Sequence, residues 1–190
     1  MPDYSRWSVH LPRVAVPAPL RPWLQEPASL TARCQRHCHT FRVQLLRHEL
    51  SPPLVQESTG NRTRGKSRQL AWVREVLLHC DGEPVIFAHT VLATPARGQL
   101  RQWLAGLGSR SLGSLLFKHK SFRRGAIEFL RLDARHPLYR QAQNAMRQTT
   151  EKGSLPPVLW ARRSKHYLGM QHVTVVEVFL PRVLQLTTPP

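Results

Sequence analysis

The chain has little cysteine, little acid and no long apolar run, and each shortage narrows what it can be. Three cysteines, Cys34, Cys38 and Cys80, are too few for a disulfide framework in 190 residues, which points to a reducing compartment and so to the cytoplasm. No stretch approaches the roughly 20 apolar residues of a membrane-spanning helix. The proline-rich N-terminus lacks the apolar core of a secretory signal. Acidic residues number 11 against 28 Lys and Arg, a net charge of +17. That excess attracts polyanions, membrane surfaces or small anionic substrates, and does not choose between them. No glycine-rich phosphate loop, nucleophile-elbow serine or internal repeat is present.

What is present fits one folded domain. An apolar fraction of 41% exceeds what disordered chains carry, and this length buries roughly two-thirds of the unfolded surface. Residues 1–22 read as an extended basic arm, and 23–190 as the domain, with a polar insertion at 135–157. Trp23–Glu26 reads as helical, and Ser29 as the N-cap of a helix over Leu30–Arg36. Strands are predicted from Phe41, over Gly125–Leu132, over Leu159–Leu168 and over Val173–Leu180, with a loop at Ser51–Arg68. Helices are predicted after Pro95 through Gln99–Ala105, over Leu112–Phe117, and within Arg135–Gly153. The order predicts an α+β fold with an antiparallel sheet.

The central stretch is Trp72–Leu92, two β-rich runs about Asp81-Gly82, a dipeptide suited to a tight hairpin turn. A two-residue loop places position 78 opposite 85, 76 opposite 87 and 74 opposite 89. Val76, Leu78, Val85 and Phe87 then share a face with Arg74 and His89. A guanidinium on an apolar face needs a carboxylate or an anionic ligand. The last strand carries the matching anomaly, because Glu177 shares a face with Val173, Val175 and Phe179. Two readings are open: a buried Arg74–Glu177 ion pair, or two groups lining a small cavity around a ligand. A β-bulge would reverse these faces.

Other clusters are weaker. Cys34, His37, Cys38 and His39 are grouped, but no second Cys/His pair with finger spacing follows, so no metal is expected. Asn61-Arg62-Thr63 matches a glycosylation acceptor, which has no meaning without a secretory signal. Arg162 to His166, with Trp160 and Tyr167, suits single-strand stacking, yet alternation splits these residues between two faces. Arg162 would point inward with Trp160 and Ser164, which favours an anion site over a nucleic-acid surface.

Four ordered motifs carry a resemblance. Trp72-Val-Arg-Glu-Val-Leu-Leu with Asp81-Gly-Glu-Pro84, Leu112-Gly-Ser-Leu-Leu-Phe117, Leu159-Trp-Ala-Arg-Arg-Ser164 and Glu177-Val-Phe-Leu-Pro181 resemble the chorismate lyase family. The resemblance implies a single α+β domain with helical flaps over an internal ligand cavity. It implies conversion of chorismate to 4-hydroxybenzoate and pyruvate without metal or cofactor, at the first committed step of ubiquinone synthesis. The chain is expected to be a monomer and to bind no specific nucleic acid. It assigns Arg74 to the ring carboxylate, Glu177 to the ring hydroxyl, and ligand contacts to Leu30 and Leu112. His89 stands where an arginine is expected, and the 135–157 excursion is longer than in compact members. The alternative is a basic nucleic-acid- or anion-binding module without catalysis.

Overall fold

Seven antiparallel strands form one sheet, and segments of the chain cover both of its faces. The computed structural model describes residues 6–12, 15–54, 70–93, 99–113, 116, 121–149 and 155–186. In chain order the strands are β1 (Phe41–Ser51), β2 (Ala71–Cys80), β3 (Glu83–Ala93), β4 (Arg123–Arg124), β5 (Glu128–Asp133), β6 (Val158–Leu168) and β7 (Gln171–Phe179). The helices are α1 (Arg21–Leu24), α2 (Leu30–Gln35), α3 (Gln99–Ala105) and α4 (Pro137–Arg147). The spatial order is β1-β2-β3-β7-β6-β4, with β5 also on β6.

The β2–β3 hairpin turns on Asp81 and Gly82, whose φ values of 51° and 86° are both in the left-handed region a type I′ turn requires. Asp81 also accepts the Thr40 N–H at 2.8 Å, which fixes the start of β1. Beyond the turn the register departs from a simple two-residue hairpin. His79 pairs with Pro84 but Leu78 pairs with Ile86, so Val85 is bulged out and β3 reverses its faces. Arg74 therefore lies opposite Thr90, and His89 lies opposite Glu75. His89 and Phe87 consequently leave the face that Arg74, Val76 and Leu78 share.

One face is closed by the N-terminal segment and α2, through Val16, Leu20, Trp23, Leu24, Leu30 and Cys34 packed on Val76, Leu78, Ile86, Trp160 and Phe179. A second cluster there joins α3, through Leu100 and Leu104, to Leu112, Leu116, Val173 and Val175. The opposite face is closed by α4. Pro137 opens that helix, and Leu138, Tyr139, Ala142 and Ala145 recur at its helical spacing to meet Leu77, Phe87, Val176 and Val178. The 135–157 excursion is thus the cover of the sheet's back face over its described residues, rather than a purely polar surface helix.

The described part of the 1–22 arm is anchored to the domain at several points, with Val16 and Leu20 buried and Val9 exposed. Ser8 and Phe129 exchange backbone hydrogen bonds at 3.1 and 2.7 Å, and Arg163 lies 4.5 Å over the Trp7 ring. Residues 112, 113 and 116 are helical, as expected; the rest of that predicted helix, the Pro95 and Gly153 signals, Asn61–Thr63 and most of the 51–68 loop lie outside the described residues.

Adding a Cβ at Gly82 meets no neighbour, so its requirement is backbone conformation alone. Gly82→Ala should therefore cost about 1 kcal/mol, read as a lower urea midpoint with an unchanged slope. An unchanged midpoint would show that the turn does not hold residue 82 left-handed.

Candidate active site

The period of two on β2, β7 and β6 brings polar side chains from three strands to one apolar face. Arg74 and Glu177 both line the same narrow pocket there, with Leu30 and Leu112 across from them. The space not filled by atoms there is about 540 Å3, open solvent at its mouth included. Arg162, Ser164 and His166 of β6 and Arg124 of β4 complete the polar wall, while Val76, Ala88 and Val175 floor it.

Arg74 and Glu177 do not pair with each other. Arg74 is 3% exposed and donates from Nη2 to the carbonyl oxygens of Gly108 and Arg110 at 3.0 and 2.8 Å. Its buried Nε has no hydrogen-bond partner among the described residues. Carbonyls satisfy N–H groups but leave the charge uncompensated. Burial pulls Arg74 down to about 10, so it stays protonated at neutral pH.

Glu177 is taken by Arg162, with which it is also in register across β6 and β7. Arg162 Nε donates to Glu177 Oε2 at 2.6 Å, and Nη1 donates to Glu26 O at 2.6 Å and Leu24 O at 3.3 Å. A 1% exposed guanidinium thus caps the carbonyl end of α1 while fixing Glu177. The inward placement of Arg162 follows from strand alternation, as expected; its carboxylate partner does not.

Arg124 Nε donates to Ser164 Oγ at 3.1 Å, and Nη1 to Pro27 O at 2.8 Å. Burial first, then the neighbouring Arg162 charge, pull Arg124 below its ordinary value, against the attraction of Glu177 and Glu26. Ser164 Oγ also lies 3.1 Å from His166 Nε2. With the hydroxyl accepting from Arg124, its proton is directed to His166, which serves as acceptor in its neutral form. Burial, then Arg124 and Arg162, push His166 down to about 4. The pocket wall therefore carries three guanidiniums against one carboxylate at neutral pH.

The covering side is closely fitted. Ser29 caps α2, accepting from Ala32 N, and Leu30 and Leu112 are 2% and 7% exposed. Thr31 Oγ1 and Ser111 Oγ share a hydrogen bond of 2.6 Å, tying α2 to the turn before Leu112. A Cβ at Gly113 would meet Ser29 Oγ at 2.5 Å, so only glycine permits that approach.

One expectation is corrected: His89 does not share the face of Arg74, and its Nδ1 bonds Glu75 Oε1 at 2.9 Å on the back face. The cysteines are buried among packed side chains; Cys38 Sγ donates to Cys34 O at 3.0 Å, and burial, with Cys80 beside it, pushes the Cys38 thiol up to about 12. No cluster able to hold a metal ion is found among the described residues. Arg124 escaped the sequence reading because a two-residue strand has no period to read. Ser164 and His166 were reachable, being two and four residues beyond the inward Arg162.

A family model described as "Chorismate lyase" matches residues 6–187. The "Probable chorismate pyruvate-lyase" of Dechloromonas aromatica is 52% identical over 182 residues, 96% of this chain and 98% of that protein. The protein of the same description from Aromatoleum aromaticum is 42% identical, covering 98% of each chain. Among solved structures, the effector domain of PhnF from Mycobacterium smegmatis aligns over 81% of this chain and 89% of that one, at 13% identity and a TM-score of 0.49, a likeness too distant to carry an argument.

Between about pH 6.5 and 4 the unfolded chain binds a proton at His166 that the folded chain refuses, so stability falls as pH falls through that window. Lowering the pH from 7 to 5 should cost the parent protein about 2 kcal/mol more than it costs His166→Gln, measured by urea unfolding at both pH values. Equal losses would show that His166 is not held neutral by its surroundings.

Proposed function

The chain belongs to the chorismate lyase family, and from that premise we infer how its pocket works. The protein is a lyase that converts chorismate to 4-hydroxybenzoate and pyruvate, the step that in this family opens ubiquinone synthesis. The reaction breaks the bond between a ring carbon and the enolpyruvyl oxygen, and removes a hydrogen from the neighbouring, hydroxyl-bearing carbon. That hydrogen ends on the enolpyruvyl methylene carbon, giving pyruvate, and aromatisation of the ring drives the change.

One observation carries the assignment of roles: Arg74 is a buried guanidinium with no carboxylate partner among the described residues, facing the same pocket as Glu177. Two strand spacings separate β2 from β7, roughly 10 Å, a gap suited to a ring held between the two side chains. In this reading Arg74 binds the ring carboxylate and fixes the ring's orientation. Glu177, already oriented by Arg162, accepts a hydrogen bond from the ring hydroxyl. Leu30 and Leu112 lie against the ring and exclude water. The excess of guanidinium over carboxylate suits a dianionic substrate.

A basic, non-catalytic nucleic-acid module is not favoured, because Arg74, Arg124 and Arg162 converge on one pocket that Leu30, Val76 and Leu112 also line. No helix among the described residues is long and apolar enough to cross a membrane. Retention of 4-hydroxybenzoate as a ligand, a monomeric state and a cytoplasmic location belong to the same proposal.

Purified protein incubated with chorismate and a chelator should release 4-hydroxybenzoate and pyruvate in equal amounts; neither product appearing would sink the enzyme reading. Arg74→Ala should lower kcat/KM by about 100-fold with an unchanged circular dichroism spectrum. Activity that survives this change would make Arg74 a purely structural residue, serving the Gly108 and Arg110 carbonyls. Glu177→Gln should slow turnover, and near-normal turnover would exclude a required ionisable group at that position.

A further inference from the structure

One end of the sheet gathers features that the lyase pocket does not use. The ladders put Ser51 opposite Ala71, Ala71 opposite Ala93, Leu92 opposite Val173 and Val173 opposite His166. At this end β1 and β3 finish, β2 starts, and the turn between β6 and β7 projects. Five large apolar side chains are exposed among the described residues, and three of them, Leu50, Leu70 and Met170, are here. Leu50 pairs with Trp72, Leu70 precedes β2, and Met170 is wholly exposed in the β6–β7 turn. A single exposed apolar side chain needs no explanation, but a group of them at one end does.

Cations and aromatic rings surround these side chains. Arg101 of α3 lies 5.5 Å over the Trp72 ring, and Arg123 of β4 lies 4.8 Å over that of Tyr167. Trp103 and Phe122 meet with ring centroids 5.7 Å apart, and Phe122, Trp72 and Leu168 pack on the cluster that includes Leu100 and Leu104. Acid is scarce. Residues 84–127 contain seven Lys or Arg and residues 152–176 contain four, and neither stretch contains an Asp or Glu. Among the described residues, the acid nearest this end along the ladders is Glu49 of β1, which Arg47 holds at 2.8 Å. Exposed aliphatic side chains, half-buried rings and unopposed basic residues suit the interface of a bilayer. The aliphatics enter the acyl boundary, the rings take the headgroup level, and the cations meet anionic lipid. A nucleic acid would use the charge but not Leu50, Leu70 or Met170. The rings on which its bases would stack are already engaged, Trp72 by Arg101 and His48, and Tyr167 by Arg123 and His172.

We propose that this end of the sheet docks on an anionic lipid surface, with Met170 as the inserting tip and Arg101 and Arg123 as headgroup contacts. The attachment is peripheral, since no helix among the described residues is long and apolar enough to cross a membrane. The α3 helix links the docking end to the active site, because Leu100 and Leu104 share a cluster with Leu112 of the pocket. Docking is nonetheless independent of the lyase reading, being measured on vesicles without substrate.

The full chain should sediment with phosphatidylcholine vesicles that contain about 30% phosphatidylglycerol, and not with vesicles of phosphatidylcholine alone. Met170→Ser leaves the charge unchanged and should weaken partitioning about tenfold. Arg101→Gln combined with Arg123→Gln should weaken it roughly 30-fold. Arg140→Gln combined with Arg147→Gln removes as much charge from the exposed side of α4, on the back of the sheet, and should change partitioning less than about threefold. Circular dichroism checks that each variant is folded, and Met170→Ser carries the test alone should the Arg101 and Arg123 pair fail to fold. No binding to the anionic vesicles, unchanged partitioning of Met170→Ser, or equal losses from the two paired variants overturns the proposal. So does a parent chain that binds a single-stranded oligonucleotide but not the vesicles, which would make this end a polyanion site.

Discussion

Guanidinium-to-carbonyl hydrogen bonds hold this pocket together. Each inward arginine rises from the sheet and grasps the backbone of a segment that covers it: Arg74 the turn after α3, Arg162 the carbonyl end of α1, and Arg124 the chain at Pro27. Carbonyl oxygens at helix ends and turns lack partners of their own, so the arrangement relieves two deficits together. It does so without neutralising charge, because a carbonyl is only a dipole. The groups that close the pocket are therefore the same groups that make it attractive to an anion. Arginine suits both tasks, since its several donors diverge and it keeps its proton even when buried.

The two faces of the sheet solve the same burial problem differently. On the back face the polar pair Glu75 and His89 satisfy each other among Leu77, Phe87 and the apolar side of α4. On the front face three pocket arginines stand against one carboxylate, Glu177, which Arg162 holds at 2.6 Å. A carboxylate placed beside Arg74 would have made a quieter core, and the strand has one available: Glu75, the very next residue, faces the other way.

Much of this was legible from residue order. Ser29 capping α2, the end of α3 at Ala105, the opening of α4 at Pro137 and the shared face of Val175 and Glu177 all follow from local chemistry or from a period of two. Arg74 and Glu177 stood out because each is a charge at a position whose neighbours are apolar. What local pattern does not reveal is partnership. The Val85 bulge moved His89 to the opposite face, and nothing in a run of β-branched residues marks where a ladder slips. Arg162 rather than Arg74 bonds Glu177 because β6 and not β2 lies beside β7, a fact of topology. Arg124 lies on a strand too short to announce itself.

The order of the strands bears on how the protein reaches this state. β1, β2 and β3 form a meander, and β6 and β7 a hairpin, so each half can assemble from contacts close in sequence. Only the pairing of β3 with β7 joins the halves, and it closes a loop of about eighty residues, the costliest entropy step in the sheet. Arg74 belongs to the first half, and Glu177, Arg162 and Arg124 to the second. The anion site thus straddles the pairing of greatest sequence separation in the sheet. Half-assembled molecules contain no working pocket, and a ligand that bridges the two halves stabilises the completed sheet against reopening along that pairing.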